Sequence, residues 1–580
     1  MSAGAAWADV PKAQVQGTID RTLRSELQRA IGAEKTRPES RVDARRRARE
    51  AGEAVIAVLR SEGYYDYQVE PDVGEGDTPD AVVRVTVGPR SMLGATTLVW
   101  DGDAPDTATA QAALKALNLT RGAPGRSSDV VDAEGRVVAL LHSRGYADAS
   151  IRPRRVVVDH SDHSVQPTFH FAAGTLVRLD GLNVTQKGRT QLSWIQRLAP
   201  WKSGDVYDPK KVAELERRLR DAGVFDAVTV SLAPPSASVD GLRPVVVSVQ
   251  DRPAHTIELG GGYSTSEGAG VDAKWIAYDL LGRADTLTIT GRLAQIQQKL
   301  DAELDMPDFG RADQILKAGG DVFADVTTAY NDDGLGVRGL IERHYNLTNY
   351  ITYGGAIDVV NTREKTAINP NSIPVGEDLK LAIFSLQGSF VLDRSNDLLN
   401  PTRGWRFTAE ADPTFITGSR TLPYVKLQAQ ISDYLPFGAN ASTVLAVRLK
   451  MGSIVGGSIP AVPADRRFFA GGGGSVRGFG YQGVGPQLSD RTPVGGVSLL
   501  ESSFEVRQHV TGPWSVVGFV DAGSIGPNFA PSFSNLAVGA GIGIRYDLGF
   551  APLRVDIATP ITRRKGDPLV EFYLSIGQSF

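Results

Sequence analysis

The feature that most restricts this chain is a two-residue period that begins near residue 257 and persists to the end. In 286–293, Leu287, Ile289 and Leu293 alternate with Thr288, Thr290 and Arg292. In 537–547, Val538, Ala540, Ile542, Ile544 and Tyr546 fall on one face, and Gly539, Gly541, Gly543, Arg545 and Asp547 on the other. In 553–557, Leu553, Val555 and Ile557 oppose Arg554 and Asp556. A strand points successive side chains to opposite faces, so each segment has one apolar face and one of charge and glycine. Gly, Asn, Asp and Pro separate the segments. A soluble sandwich would cover the apolar face with a second sheet. A membrane barrel turns that face to lipid and the polar face to a wet lumen. At about ten residues per strand and a similar allowance for connections, 257–580 holds roughly 16 strands, which favours the barrel. Glu571 to Phe580 keeps Phe572, Leu574, Ile576 and Phe580 on one face, predicting a closing strand with its last ring at the membrane interface.

Before residue 256 the chain repeats itself. Leu59-Arg60-Ser61-Glu62-Gly63-Tyr64-Tyr65-Asp66, Leu141-His142-Ser143-Arg144-Gly145-Tyr146-Ala147-Asp148 and Leu219-Arg220-Asp221-Ala222-Gly223-Val224-Phe225-Asp226 share Leu-x-x-x-Gly-x-x-Asp. Such spacing marks a repeated supersecondary unit. A helical run precedes each glycine: 41–60, 129–143 and 209–220. The last opens on Asp208-Pro209, a cap followed by a proline suited to the first turn. The glycine is placed to end the helix in the left-handed conformation. Two strands follow, as in 68–73 with 81–87, or 151–159 with 166–172. An earlier helix and a short strand complete a β-α-α-β-β unit, as in 96–100 followed by 107–119. The expected fold class is therefore α+β repeats followed by all-β: three such domains (13–90, 91–174, 175–255) and an antiparallel transmembrane barrel (256–580). The opening strand of the first unit has little beyond Ala13-Gln14-Val15-Gln16 to form it. Ala6-Trp7-Ala8 has the small-x-small pattern of a signal-peptide cleavage site, so 1–12 reads as a possible signal-peptide remnant.

Composition removes several classes. No run approaches 18 uninterrupted apolar residues, and the mean hydropathy is −0.15, so no transmembrane helix is expected. The chain has no cysteine, which excludes disulfides, iron–sulfur clusters and thiolate zinc sites. A net charge of −4 lacks the basic footprint of a nucleic-acid binder. No Gly-x-Ser-x-Gly elbow and no paired-carboxylate constellation stands out. Asp159-His160-Ser161-Asp162-His163 could bind a metal, but reads as a solvated turn because its ligands are adjacent in sequence with no outer partner. Neither an enzyme, a cofactor nor a metal is expected.

Gly471-Gly472-Gly473-Gly474-Ser475-Val476-Arg477-Gly478-Phe479-Gly480 remains to be explained. Glycine costs backbone entropy and adds no packing, so the run suits a loop threaded through a confined space with one charged tip. Gly478 to Gly483 fits Gly-x-Gly-x-x-Gly, but a dinucleotide site needs a preceding strand and a following helix, and neither is predicted here.

Four motifs, in this order after three repeats, resemble the outer-membrane barrels that follow polypeptide-transport-associated (POTRA) repeats: Asn400-Pro401-Thr402-Arg403-Gly404, Val476-Arg477-Gly478-Phe479, Phe519-Val520-Asp521-Ala522-Gly523 and the aromatic last strand. The resemblance covers nearly the whole chain. The repeat count is most similar to the TamA group, the outer-membrane part of the translocation and assembly module, related to BamA. The resemblance implies that the Val476–Phe479 tip is a latch folded into the lumen, with Arg477 meeting Asp521 and Glu505 and with Phe519 and Gly523 beside them. It implies a Gram-negative outer membrane with the repeats in the periplasm. It also implies a TamB-like inner-membrane-anchored partner at the N-terminal repeat, and unfolded β-barrel clients such as autotransporters. Client strands would add by β-augmentation at a lateral gate between 257–263 and 571–580, with Gly260, Gly261, Gly262, Ile576, Gly577 and Phe580 on its edges. A general BamA-like insertase and a two-partner secretion pore are the alternatives, and a passive porin would lack both repeats and tip.

Overall fold

The computed structural model describes all residues except 1–9, 76–78, 186–187, 266, 347, 367–374, 439–440, 550, 577 and 579. The chain divides into two compact units: Met1–Thr185, Ala199–Arg217 and Thr229–Ser248 in one, and Gln186–Leu198, Arg218–Val228 and Val249–Phe580 in the other. The candidate signal segment lies almost wholly outside the described residues.

Among the described residues, three small sheets and a two-stranded pairing of Val10–Pro11 with Ala33–Glu34 precede the barrel. In the first, Ala81–Thr86 lies between Gln68–Val73, antiparallel, and the short Gln14–Gln16, parallel. Helices Arg21–Ile31 and Arg41–Ser61 cover it, burying Leu27, Val55 and Leu59 against Val83. Their starts are fixed by side-chain caps, Asp20 accepting from the Leu23 N–H at 3.0 Å and Ser40 from the Asp43 N–H at 3.1 Å. In the second sheet, Ser164–Ala172 pairs with Ser150–Asp159 and with Thr97–Trp100. Phe169 and Phe171 pack under helices Thr107–Ala116 and Ser127–Ser143. The third sheet has the order Arg178–Val184, Leu242–Asp251, Phe225–Leu232, and helix Pro209–Asp221 opens on the predicted proline. Gly63, Gly145 and Gly223 have φ of +90°, +98° and +74°, so each repeat glycine ends its helix in the conformation that favours glycine.

From His255 the chain forms a closed antiparallel barrel of 16 strands, each paired to its neighbours in sequence, with the first (His255–Ser264) meeting the last (Glu571–Ile576). The period-2 pattern explains the closure. Leu259 and Ile542 point outward, 81% and 71% exposed, as a lipid-facing wall requires. The inner face carries the charges, for instance Arg338 bonded to Asp301 at 2.8 Å and Glu303 at 2.6 Å. Closure leaves no sheet edge in lipid apart from what the seam leaves unpaired.

The structure corrects the reading of the last segment. The strand ends at Ile576, and Phe580 is not at the membrane interface. Its ring lies inside, stacked with buried Tyr434 at 6.5 Å and beside the guanidiniums of Arg448 and Arg507. Alternation had assigned it outward, but alternation holds only while the backbone remains a strand.

Candidate functional site

The connection between strand eleven (Thr443–Val455) and strand twelve (Ser498–Thr511) enters the barrel. Its Phe468, Val476, Phe479 and Val484 share one buried apolar cluster with the wall residues Ile383, Ile416, Leu499 and Ile525. This burial explains how a glycine-rich loop holds a fixed path: the two apolar residues flanking Arg477 and Gly478 are fully enclosed.

Arg477 is 1% exposed. Its Nε donates to Asp521 Oδ2 at 2.6 Å, Nη2 to Asp521 Oδ1 at 2.9 Å, and its backbone N–H to the same carboxylate at 3.1 Å. Nη1 reaches Glu505 Oε1 at 2.8 Å and Asp556 Oδ2 at 3.1 Å. The guanidinium lies 3.4 Å from the ring centre of Phe519. Wall arginines complete the cluster: Arg507 with Glu505 at 2.9 Å, and Arg545 and Arg554 with Asp556 at 2.5 and 2.9 Å. A buried charge is tolerated when paired and hydrogen-bonded, and the planar fork of arginine can serve several carboxylates at once.

The structure therefore places Glu505, Phe519 and Asp521 around Arg477. Gly523 lies under Val476, where an added Cβ would come within 2.5 Å of Val476 Cγ2. Asp556 was missed as a partner. Its inward direction was legible from Leu553–Ile557, but its meeting with Arg477 depends on strand register that no local pattern encodes. The alternate glycines of 537–547 also gain a reason. A Cβ on Gly539 would overlap the Arg477 carbonyl, one on Gly541 the Phe519 ring, and one on Gly543 the Asp556 carboxylate. Strand fourteen (Ala537–Asp547) is thus a trough for the loop tip. Gly478 itself has φ +95°, a Cβ there would press on the Thr559 carbonyl, and its N–H donates to Tyr573 Oη at 3.1 Å.

The same loop touches both sides of the seam. The Gly473 N–H donates to Glu267 beside strand one at 3.1 Å, and its carbonyl accepts from Arg554 of strand fifteen (Pro552–Pro560) at 3.1 Å. The seam itself is short. Tyr263 faces Leu574 and Ser264 faces Tyr573, and the Thr265 N–H adds a bond to the Phe572 carbonyl at 3.1 Å. Among the described residues, Gly261 and Gly262 have no ladder partner on the last strand. Ile576 pairs instead with Leu553 of strand fifteen. Of the expected gate residues, Gly262 approaches the Leu574 carbonyl, Gly260 is paired with Asp272 of strand two (Gly268–Tyr278), Phe580 is inside, and Gly577 lies outside the described residues. Beyond the strand, Gln578 bends across to Leu399 and Asn400, donating to the Asn400 side chain at 3.0 Å. A cavity of about 360 Å³ opens on the inner side of the seam, lined by Gly262, Asp272, Arg292, Gly473, Arg554 and Ser575.

The histidine turn also departs from expectation. It has an outer partner: the Nδ1 atoms of His160 and His163 lie 2.6 and 3.0 Å from the two oxygens of Asp66. No group of three histidine or acidic side chains suited to a metal ion occurs among the described residues.

A closed barrel with a lipid-facing outer wall, an arginine-tipped loop in its lumen and α+β modules before it defines a POTRA-type outer-membrane barrel. Residues 279–580 match the Omp85 superfamily domain, and the chain belongs to that superfamily. Residues 179–252 match a POTRA repeat, described as a surface antigen variable number repeat. The outer membrane protein assembly factor BamA of Neorickettsia risticii (strain Illinois) is 22% identical over 533 residues, covering 88% of this chain and 69% of that protein. The crystal structure of BamA from Haemophilus ducreyi lacking POTRA domains 1–3 has the same fold, with a TM-score of 0.67 and 20% identity over 84% of this chain and 100% of that one. The protein is thus an outer-membrane barrel of the assembly and secretion superfamily, with its POTRA portion in the periplasm.

Proposed function

We propose that this protein inserts or exports β-barrel clients, autotransporters among them, by adding client strands at the seam between strands one and sixteen. The reading places it in the TamA group, with three POTRA repeats and a TamB-like partner at the first of them. One observation carries it: strand one faces ten residues of strand two but only two of strand sixteen. Unpaired backbone groups at membrane depth are costly, and a client strand supplies the missing partners. The work comes from client folding, without enzymatic chemistry. In this reading the Val476–Phe479 tip is a latch, with Glu505, Phe519, Asp521, Gly523 and also Asp556 as its seat.

The chain lacks cysteine, so a Tyr263→Cys, Leu574→Cys pair gives a clean test. Oxidised, this variant is expected to lose autotransporter assembly, and reductant is expected to restore it. Full-rate assembly by the crosslinked barrel would refute the gate. The match to a BamA assembly factor favours a second reading, a general insertase. Depletion separates the two: loss of a subset of outer-membrane barrels supports the first, and loss of all supports the second.

A further inference from the structure

The Leu-x-x-x-Gly-x-x-Asp motif does more than end a helix. The Gly63 carbonyl accepts from the Ser91 N–H, at the start of the next repeat, at 2.8 Å. The Gly145 carbonyl accepts from the Val177 N–H, again across a joint, at 2.8 Å. The third copy repeats the theme with a side chain: the Gly223 carbonyl accepts from Arg252 Nη1 at 2.8 Å, and that guanidinium lies 4.2 Å from the ring centre of Tyr278 in the barrel. The motif aspartate extends the link. Asp148 forms a two-pronged pair with Arg243 of the third repeat at 2.6 and 2.9 Å. Asp66 stands at the equivalent position and takes His160 and His163 of the second repeat, one on each oxygen. Equivalent aspartates thus meet different basic side chains at successive joints.

We infer that the motif is a clasp between neighbouring repeats, and that the first clasp is a pH-dependent hinge while the second is fixed. Arginine remains charged throughout the relevant range. Histidine loses its charge between about pH 5 and 8. A neutral imidazole still donates one hydrogen bond to Asp66, but bonds with both partners charged are roughly twice as strong as neutral ones. The remaining charges at the joint do not change in that window. Glu62 is paired with Arg90 at 2.7 Å and with Arg126 at 2.9 Å. On the histidine turn itself, Asp159 accepts from the Ser161 N–H at 2.9 Å and Asp162 from the Ser164 N–H at 3.0 Å.

The carboxyls set the lower bound. Asp66 is held below the usual aspartate range, chiefly by the bond from His160, and Asp148 likewise by Arg243. A depressed carboxyl contributes stability above the usual aspartate range, about pH 4, and loses it as pH falls through its lowered value. The first clasp is therefore tightest in mild acid and slackens as pH rises. The second keeps its strength through neutral and alkaline pH.

The inference is independent of the client and of the gate. Spin labels on Ser25→Cys and Ser128→Cys in the full-length, nanodisc-embedded protein report the first joint, and labels on Ser128→Cys and Lys210→Cys report the second. Between pH 5.5 and 8.5 the first distance distribution is expected to broaden and the second to stay unchanged. Replacing both histidines by glutamine should give the broad form at both pH values, and replacing both by arginine the narrow form at both. A first joint indifferent to pH, or a pH response that survives loss of both histidines, would overturn the inference.

Discussion

At the scale of single residues, Arg477 is the centre of the molecule. It is one of the largest side chains to be fully enclosed, and three carboxylates and an aromatic face converge on it. Removing one member of a buried pair leaves the others uncompensated, at a cost of about 3–5 kcal/mol. Arg477→Ala is therefore expected to lower the heat-unfolding midpoint of the folded barrel clearly, measured by its mobility shift in gels. Arg477→Lys should recover only part of the loss, because one ammonium cannot reproduce the fork. If Arg477→Ala unfolded at the unchanged temperature, the cluster would have no part in stability. Much of this site was legible from sequence. The glycine run argued for confinement, and the parity of Phe519 with Asp521 set both on one face. What remained hidden was Asp556, because its approach to Arg477 is fixed by the pairing of Gly543 with Asp556 two strands beyond Asp521.

At the scale of elements, two strands carry the argument. Strand fourteen earns its glycines by leaving space. Gly539→Val keeps every charge in place, yet its Cβ would overlap the Arg477 carbonyl. The expected result is a loop expelled from its seat, seen as new cleavage within 471–487 by protease added outside. A protected loop in this variant would mean that the trough is not needed. Alternation on this strand was plain from the sequence, whereas its purpose was not, since glycine reads the same whether it serves a turn, a bulge or a vacancy. The last strand teaches the complementary lesson. Its period correctly placed Phe572, Leu574 and Ile576 outward, and then failed at Phe580, where hydrogen bonds from Gln578 to the 399–400 turn draw the chain inward.

At the scale of the whole molecule, the fold class followed from two periodicities that do not depend on tertiary detail: a helix-stop motif repeated in the first part, and ten-residue alternation in the second. Strand number followed from length alone, because an up-and-down barrel has short, regular connections on one side. The lumen could not be predicted in the same way. Its filling comes from Val476, Phe479 and their neighbours on the loop, which sequence alone does not distinguish from an exposed connection. A barrel so filled should pass little current. In planar bilayers the full chain is expected to show no large, steady conductance, and a persistent wide pore would contradict the loop's position.

The loop's place in the chain also dictates an order of events. Arg477 precedes the wall carboxylates that hold it, since Glu505, Asp521 and Asp556 all lie on later strands. That seat exists only once those later strands are paired, so docking of the tip is a late step in the folding of this chain.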